Sequence, residues 1–137
     1  MLVIGAGSSG SQIAEELMNS GRKVYLSVGA HDRPPRRYRG RDFVWWLGVL
    51  GKWDMQTPAL GSEHVTIAVS GADGGKTVDF RRFAFGGIHL VGMAEKYENN
   101  TFYFADDLAE NIRKGDINHL GLLDEADAYV KDHNLDL

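Results

Sequence analysis

Gly5-Ala6-Gly7-Ser8-Ser9-Gly10 follows a short apolar run and precedes a helical pattern, and it matches G-x-G-x-x-G. Each glycine in that spacing has a physical task. Gly5 permits the tight turn from strand to helix. Gly7 lacks a Cβ and lets a pyrophosphate approach the backbone. Gly10 allows the helix to pack closely on the strand. The helix end beyond the loop offers unpaired N–H groups and a partial positive charge to phosphate, with Ser8 and Ser9 at its start. The chemistry expected of this loop is therefore dinucleotide binding. A bare turn whose glycines serve only packing is the alternative.

Selection between the two nicotinamide dinucleotides falls at the end of the second strand, where NAD-binding folds place an acid against the ribose 2′-hydroxyl. Here the chain reads Leu26-Ser27-Val28-Gly29, without an acid. Five arginines follow within nine residues (Arg33, Arg36, Arg37, Arg39, Arg41), with no acid among them. Guanidinium groups bind phosphate through charge-assisted, often bidentate hydrogen bonds. Arg33, Arg36 and Arg37, with Ser27 as a further donor, are the candidates for a 2′-phosphate. The alternative is that the arginines form a solvated loop or pair with the acidic C-terminal segment, which carries nine acids from Asp106 onward against Arg113, Lys114 and Lys131. Asp32 is the dissenting residue, because it could bind a ribose hydroxyl.

Other chemistry is sparse. No cysteine is present, so thiolate ligands, cysteine nucleophiles and disulfides are excluded together. His31, His64, His89, His119 and His133 show no metal-ligand spacing. Ser8 and Ser9 are not a nucleophile elbow, since G-x-S-x-G puts serine where Gly7 stands. No tyrosine heads a Y-x-x-x-K pair of the kind small reductases use. No residue is read as a catalytic acid, base or nucleophile. Trp45, Trp46 and Trp53 could stack on a nicotinamide or flavin, but core or interface anchoring is the more general use of such side chains.

The elements that must position the loop follow from periodicity. Residues 2–5 read as a buried strand, 8–20 as a helix with Ile13, Ala14 and Leu17 on one face, and 23–28 as a second strand. A strand–helix–strand unit under 30 residues long implies parallel strands with a right-handed crossover. Asp42 is placed to cap a helix to about residue 50, and Asp79 to cap one over 80–85, closed by Gly86-Gly87. Between them, 51–76 is polar and glycine-rich apart from the apolar patch 65–69. Residues 88–91 make a third strand. Apolar runs at 94–97 and 102–104 flank Glu98-Asn99-Asn100-Thr101 as a hairpin. Asp106 is read as the cap of a last helical region to about residue 133, kinked at Gly115. The expected fold class is α/β: a Rossmann-like parallel βαβ sheet with an attached antiparallel β-hairpin and a C-terminal helical region.

A length of 137 residues suits one domain, 1–137, and the 43% hydrophobic and 25% charged composition is ordinary for a soluble globular chain. The net charge of −4 argues against nucleic acid as a partner. No apolar run reaches the roughly 20 residues of a membrane span, and no signal peptide is expected in the first residues, which lack a basic n-region. A cytoplasmic location is expected, without membrane partners.

Residues 3–14, Val-Ile-Gly-Ala-Gly-Ser-Ser-Gly-Ser-Gln-Ile-Ala, resemble the second dinucleotide site of flavin-containing monooxygenases and their Baeyer–Villiger relatives. Residues 28–42 with Val44-Trp45-Trp46-Leu47, residues 74–82 and residues 104–108 resemble one bacterial branch of such flavoproteins. The resemblance implies that NADP(H) binds this chain and reduces an FAD held by another domain. It implies FAD in the parent protein only, because the chain has one glycine loop where those enzymes have two. The arginine that many relatives carry just after the second strand is replaced by Val28 or Ala30, which makes Arg33 the first substitute for it. The expectation is therefore an NADP(H)-binding domain, excised or truncated from a larger flavoprotein, inactive alone and prone to form a homo-oligomer. A stand-alone NAD(P)-dependent reductase or nucleotide sensor, or a non-catalytic interaction domain, are the alternatives.

Overall fold

The computed structural model describes residues 1–55 and 66–137. The elements are β1 (Leu2–Ile4), α1 (Ser8–Asn19), β2 (Tyr25–Ser27), β3 (His31–Asp32), β4 (Arg37–Tyr38), β5 (Arg41–Asp42), α2 (Phe43–Val49), β6 (Thr66–Ile67), α3 (Phe80–Phe85), β7 (His89–Val91), β8 (Ala94–Glu98), β9 (Thr101–Phe104) and α4 (Leu108–Asp132). Single 3-10 turns lie at Lys52–Asp54 and Ala72–Gly74. His64, Val65 and the middle of the polar stretch before Lys76 lie outside the described residues.

The parallel βαβ unit forms as expected. β2 lies between β1 and β7, parallel to both, with Val3 opposite Leu26 and Leu26 opposite Leu90. A strand paired on both sides and covered on both faces must be apolar. Val24, Leu26 and Val28 are accordingly buried, and they pack with Ala14 of α1 and with Phe80, Phe83 and Ile88. Of the face expected for α1, Ala14 and Leu17 meet the core and Ile13 does not. Ser11 and Ala14 are buried, while Ile13 is 49% exposed. Close approach to the strand selects small side chains there, and Ser11 Oγ–H satisfies itself by donating to the Ala6 carbonyl (3.1 Å).

Both expected aspartate caps are present. The Asp42 carboxylate accepts from the Val44 N–H (3.1 Å), and Asp79 accepts from the N–H groups of Arg81 and Arg82 (3.0 and 3.2 Å). The antiparallel hairpin is β8–β9. Glu98 pairs with Thr101 across Asn99 and Asn100, which take φ of 50° and 60°. Two left-handed residues give the turn whose twist matches the strands, and asparagine tolerates that region best after glycine.

The last helix departs from its expected form. α4 starts at Leu108 after Asp107, and runs through Gly115 to Asp132 without interruption. Gly115 serves packing: a Cβ there would strike the imidazole of His31. A second small core lies under the far half of α4, where Trp46 packs with Ala126 and Val130. Trp46 is 1% exposed and donates its indole N–H to the Tyr38 carbonyl (3.1 Å). Trp45 packs edge-on against Trp46 and Tyr129.

Candidate functional site

The glycine loop sits at the C-terminal end of β1, where the strand must turn into α1. Gly5 takes φ +96°, a region that a side chain would strain. A Cβ on Gly10 would fall on the Gly5 carbonyl oxygen, so the helix lies against the loop as closely as the sequence implied. Gly7 is the cap of α1, and no side chain caps that end. A Cβ on Gly7 would meet Thr66 Cγ2 at 2.6 Å. The close approach at Gly7 is thus made by β6, which lies across the loop. Ser8 Oγ–H holds that segment by donating to the Ile67 carbonyl (3.2 Å). Ser9 is exposed at the helix start.

A crevice of about 320 Å³ opens beside the loop at the ends of the parallel strands. Its walls are Ile4 at the end of β1 with Gly5 and Ala6 after it, then Ser27, Gly29, Ala30 and His31 along and after β2, with Thr66, Met93 and Ala94 closing it. This is where open parallel sheets take nucleotides: beyond the carboxyl ends of the strands, with the helix N-terminus at hand. Ser27 lines the crevice, but its hydroxyl is committed. It donates to the Gly92 carbonyl (2.8 Å) and accepts from the Ala94 N–H (3.1 Å), which ties β2 to the turn before β8.

The arginines lie elsewhere. Arg33 is 9% exposed, and its guanidinium donates to Asp116 of α4 (2.6 Å) and to the Val78 carbonyl (3.3 Å). Its backbone is held as well. The Arg33 N–H donates to Asn118 Oδ1 (3.0 Å), and the Arg33 carbonyl accepts from His119 Nδ1 (3.0 Å). Asp116 also takes both terminal nitrogens of Arg81 (2.8 and 2.7 Å), and these two guanidinium groups hold its carboxyl down at about 2. Arg36 pairs with Asp42 (3.1 Å), and Arg39 with Asp127 on α4 (2.7 Å). Arg41 lies over the Trp45 ring, 5.3 Å from its centroid. Arg37 donates to the Gly74 carbonyl (3.1 Å), stands 4.0 Å from Asp42 and is 64% exposed. The structure therefore brings the glycine loop and Ser27 together and does not bring Arg33, Arg36 or Arg37 to the crevice wall. Pairing with the acidic C-terminal helix, the alternative drawn from charge distribution, accounts for Arg33 and Arg39.

His31 is the one ionisable side chain lining the crevice among the described residues. It is buried, its Nδ1 lies 3.0 Å from the Gly29 carbonyl, and its ring meets Phe80 edge-on. Nε2 has no hydrogen-bond partner. Burial first, then the charge of Arg33, depresses its pKa; the Gly29 bond and the carboxylates of Asp32 and Asp116 oppose this. The sequence signal for the place of His31 is Gly115, which admits the imidazole to the face of α4. Asn111 was missed: its side chain donates to the Val28 carbonyl (3.0 Å) and fixes the same segment. Among the described residues no cluster of His, Asp or Glu can hold a metal ion, and no helix is long and apolar enough to cross a membrane.

No family model matches the chain, and no solved structure matches it. A stretch of 52 residues is 48% identical to a Geobacillus kaustophilus protein named an uncharacterized oxidoreductase CzcO-like. That stretch is 37% of this chain and 15% of the relative, so the chain spans a small part of the relative's length.

Proposed function

We propose that this chain binds NADP(H) as part of a flavin-dependent, monooxygenase-like oxidoreductase, presenting the nicotinamide to an FAD held by another domain. The observation that carries the reading is the glycine loop: the positive φ of Gly5, the close helix contact at Gly10 and the crevice beside Gly5 and Ala6 at the ends of the parallel strands suit a pyrophosphate. The likeness to a protein named an oxidoreductase supports the redox assignment. The bound nicotinamide supplies hydride. The chain's own residues would bind and orient: Gly5 and Ala6 approach the phosphates, the N-terminal end of α1 adds its partial positive charge, and Gly29 and Ala30 leave room for the adenosine ribose.

NADP(H) rather than NAD(H) is supported by the crevice wall, which carries no carboxylate among the described residues. Of Arg33, Arg36 and Arg37, Arg37 is the most exposed and makes no buried ion pair, which leaves it the candidate for a 2′-phosphate once the side chain turns from Gly74. Arg33 cannot serve, because its charge would leave Asp116. Calorimetric titration of NADPH and NADH into the protein tests the assignment. NADPH is expected to bind more tightly by about 10- to 150-fold, the equivalent of one charge-assisted contact of about 1.5–3 kcal/mol. Arg37→Ala is expected to remove most of that margin with little change toward NADH. Equal affinities in the wild type would overturn NADP(H), and absence of binding to either nucleotide would overturn the site.

A further inference from the structure

The ribbon formed by β3 and β6 has two faces, and only one belongs to the nucleotide crevice. Side chains alternate along a strand. His31 and Thr66 are register partners that line the glycine-loop crevice; Asp32 and Ile67, the next pair, turn to the opposite side. There they enter a separate crevice of about 290 Å³. Its walls are Pro34, Phe43 and Leu47, with Met55 and Ile67, and its polar groups are Asp32, Lys52 and Asn118. The volume is near the small end of the range for ligand pockets. Met55 is 71% exposed and Ile67 47%, so these apolar walls are uncovered by the described residues.

Asp32 is the feature that gives this crevice a chemistry. Its carboxylate has no hydrogen bond or ion pair with any described residue. The charges around it are His31 beside it on β3 and Lys52 from the 3-10 turn. Lys52 is itself paired with Glu125 of α4 (2.8 Å). Asn118, on α4, spends its carbonyl oxygen on the Arg33 N–H and keeps its amide N–H groups. Partial burial raises the carboxyl pKa, the cost of a charge without a partner. An incoming cation relieves that cost, whereas an anion would add to it.

We infer that this second crevice binds a small organic cation, with its protonated amine on the Asp32 carboxylate and its apolar body against Phe43, Leu47, Met55 and Ile67. A neutral ligand of the same shape gains the apolar contact but not the ion pair, and so discriminates the two contributions. The site is separate from the nucleotide crevice and does not depend on the reading of that crevice.

The test is an NMR titration of the full chain, labelled at its methyl and backbone positions, with 2-phenylethylamine and with 2-phenylethanol. The amine is expected to shift the signals of Phe43, Leu47, Met55 and Ile67, to leave Gly5 to Gly10 unmoved, and to bind at least about tenfold more tightly than the alcohol. Asp32→Asn is expected to reduce the amine to the level of the alcohol while NADPH titrates as in the wild type. No shifts at these residues with the amine in the millimolar range would overturn the inference. Equal affinity for amine and alcohol, or an Asp32→Asn protein that binds the amine as before, would do the same. If Asp32→Asn fails to fold, the amine–alcohol comparison on the wild type decides.

Discussion

Replacing Asp116 by asparagine removes one negative charge from between two guanidinium groups and keeps the side chain's shape. The Asp116 carboxyl is held at about 2 in the fold, against an ordinary 3.8. That difference corresponds to about 2.5 kcal/mol of preference for the ionised form. Solvent reaches 30% of the Asp116 side chain, so screening reduces its contribution to about 1–2 kcal/mol. The larger loss falls on Arg33, whose side chain is 10% exposed and would keep only the Val78 carbonyl at 3.3 Å as a full acceptor. Orphaning a buried charge completely costs about 3–5 kcal/mol, and asparagine retains part of the contact. We expect a total of about 2–3 kcal/mol. At roughly 3–4 °C per kcal/mol for a chain of this size, the melting temperature should fall by about 6–12 °C. The pH dependence follows from the depressed carboxyl: the stabilisation is complete above 3.8 and disappears as pH falls through about 2, so wild type and variant should converge on acidification. Thermal melts at neutral pH and urea midpoints between pH 5 and 2 provide the measurement. The reasoning fails if Asp116→Asn melts with the wild type, if the gap does not shrink with acid, or if Arg33→Met destabilises additively with Asp116→Asn in a double-mutant cycle.

Three further outcomes follow from the same contacts. His31, neutral and buried with its pKa depressed, should lower stability as pH falls below 6.5, levelling once the folded-state pKa is passed. Imidazole NMR titration and urea melts of wild type against His31→Phe would show this, and an imidazole titrating at or above 6.5 would contradict it. Gly115→Ala should destabilise, although alanine favours a helix by about 1 kcal/mol over glycine, because its methyl enters the His31 ring; His31→Ala in the same chain should restore stability. Among the described residues β1 pairs only with β2, and Met1 and Ile4 are 59% and 57% exposed, so this edge should promote self-association. Light scattering across a dilution series should show it for the wild type and less of it for Ile4→Lys; a monomer at every concentration would reject the idea.

Local chemistry made much of this fold legible. Asp42 and Asp79 announce helices because a cap acts within three residues, and Asn99-Asn100 announces a turn because two residues decide its twist. The glycine loop is legible for the same reason: Gly5 and Gly10 meet each other across five positions. The fate of the arginines was not local. Arg33 finds Asp116 83 residues away and Arg39 finds Asp127 at 88, so nothing in the basic loop tells which guanidinium is buried and which is solvated. Charge distribution allowed the pairing but did not select it over phosphate binding. Gly115 misled in another way. A glycine inside a helical pattern signals either a kink or a close neighbour, and the neighbour, His31, lies on a strand of two residues that periodicity cannot detect. The same brevity hid β6 and the ribbon that separates the two crevices.

The grip of α4 on the segment after β2 has a consequence for how the chain acquires its fold. Asn111, Asn118 and Asp116 reach back 83 to 85 residues to Val28 and Arg33, and β2 itself needs β7, whose Val91 carbonyl closes onto Val28. Contacts this distant in sequence slow folding, because the intervening loop must be ordered before they form. On a ribosome adding roughly 5–20 residues per second, β2 would wait about 4–17 seconds for the residues of α4 that secure it. During that interval the strands Leu2–Ile4 and Tyr25–Ser27, with the buried Leu26, have emerged without their cover. That places this chain among those whose yield in a cell should respond to chaperone supply and to slower translation at lower temperature, independently of how stable the finished molecule is.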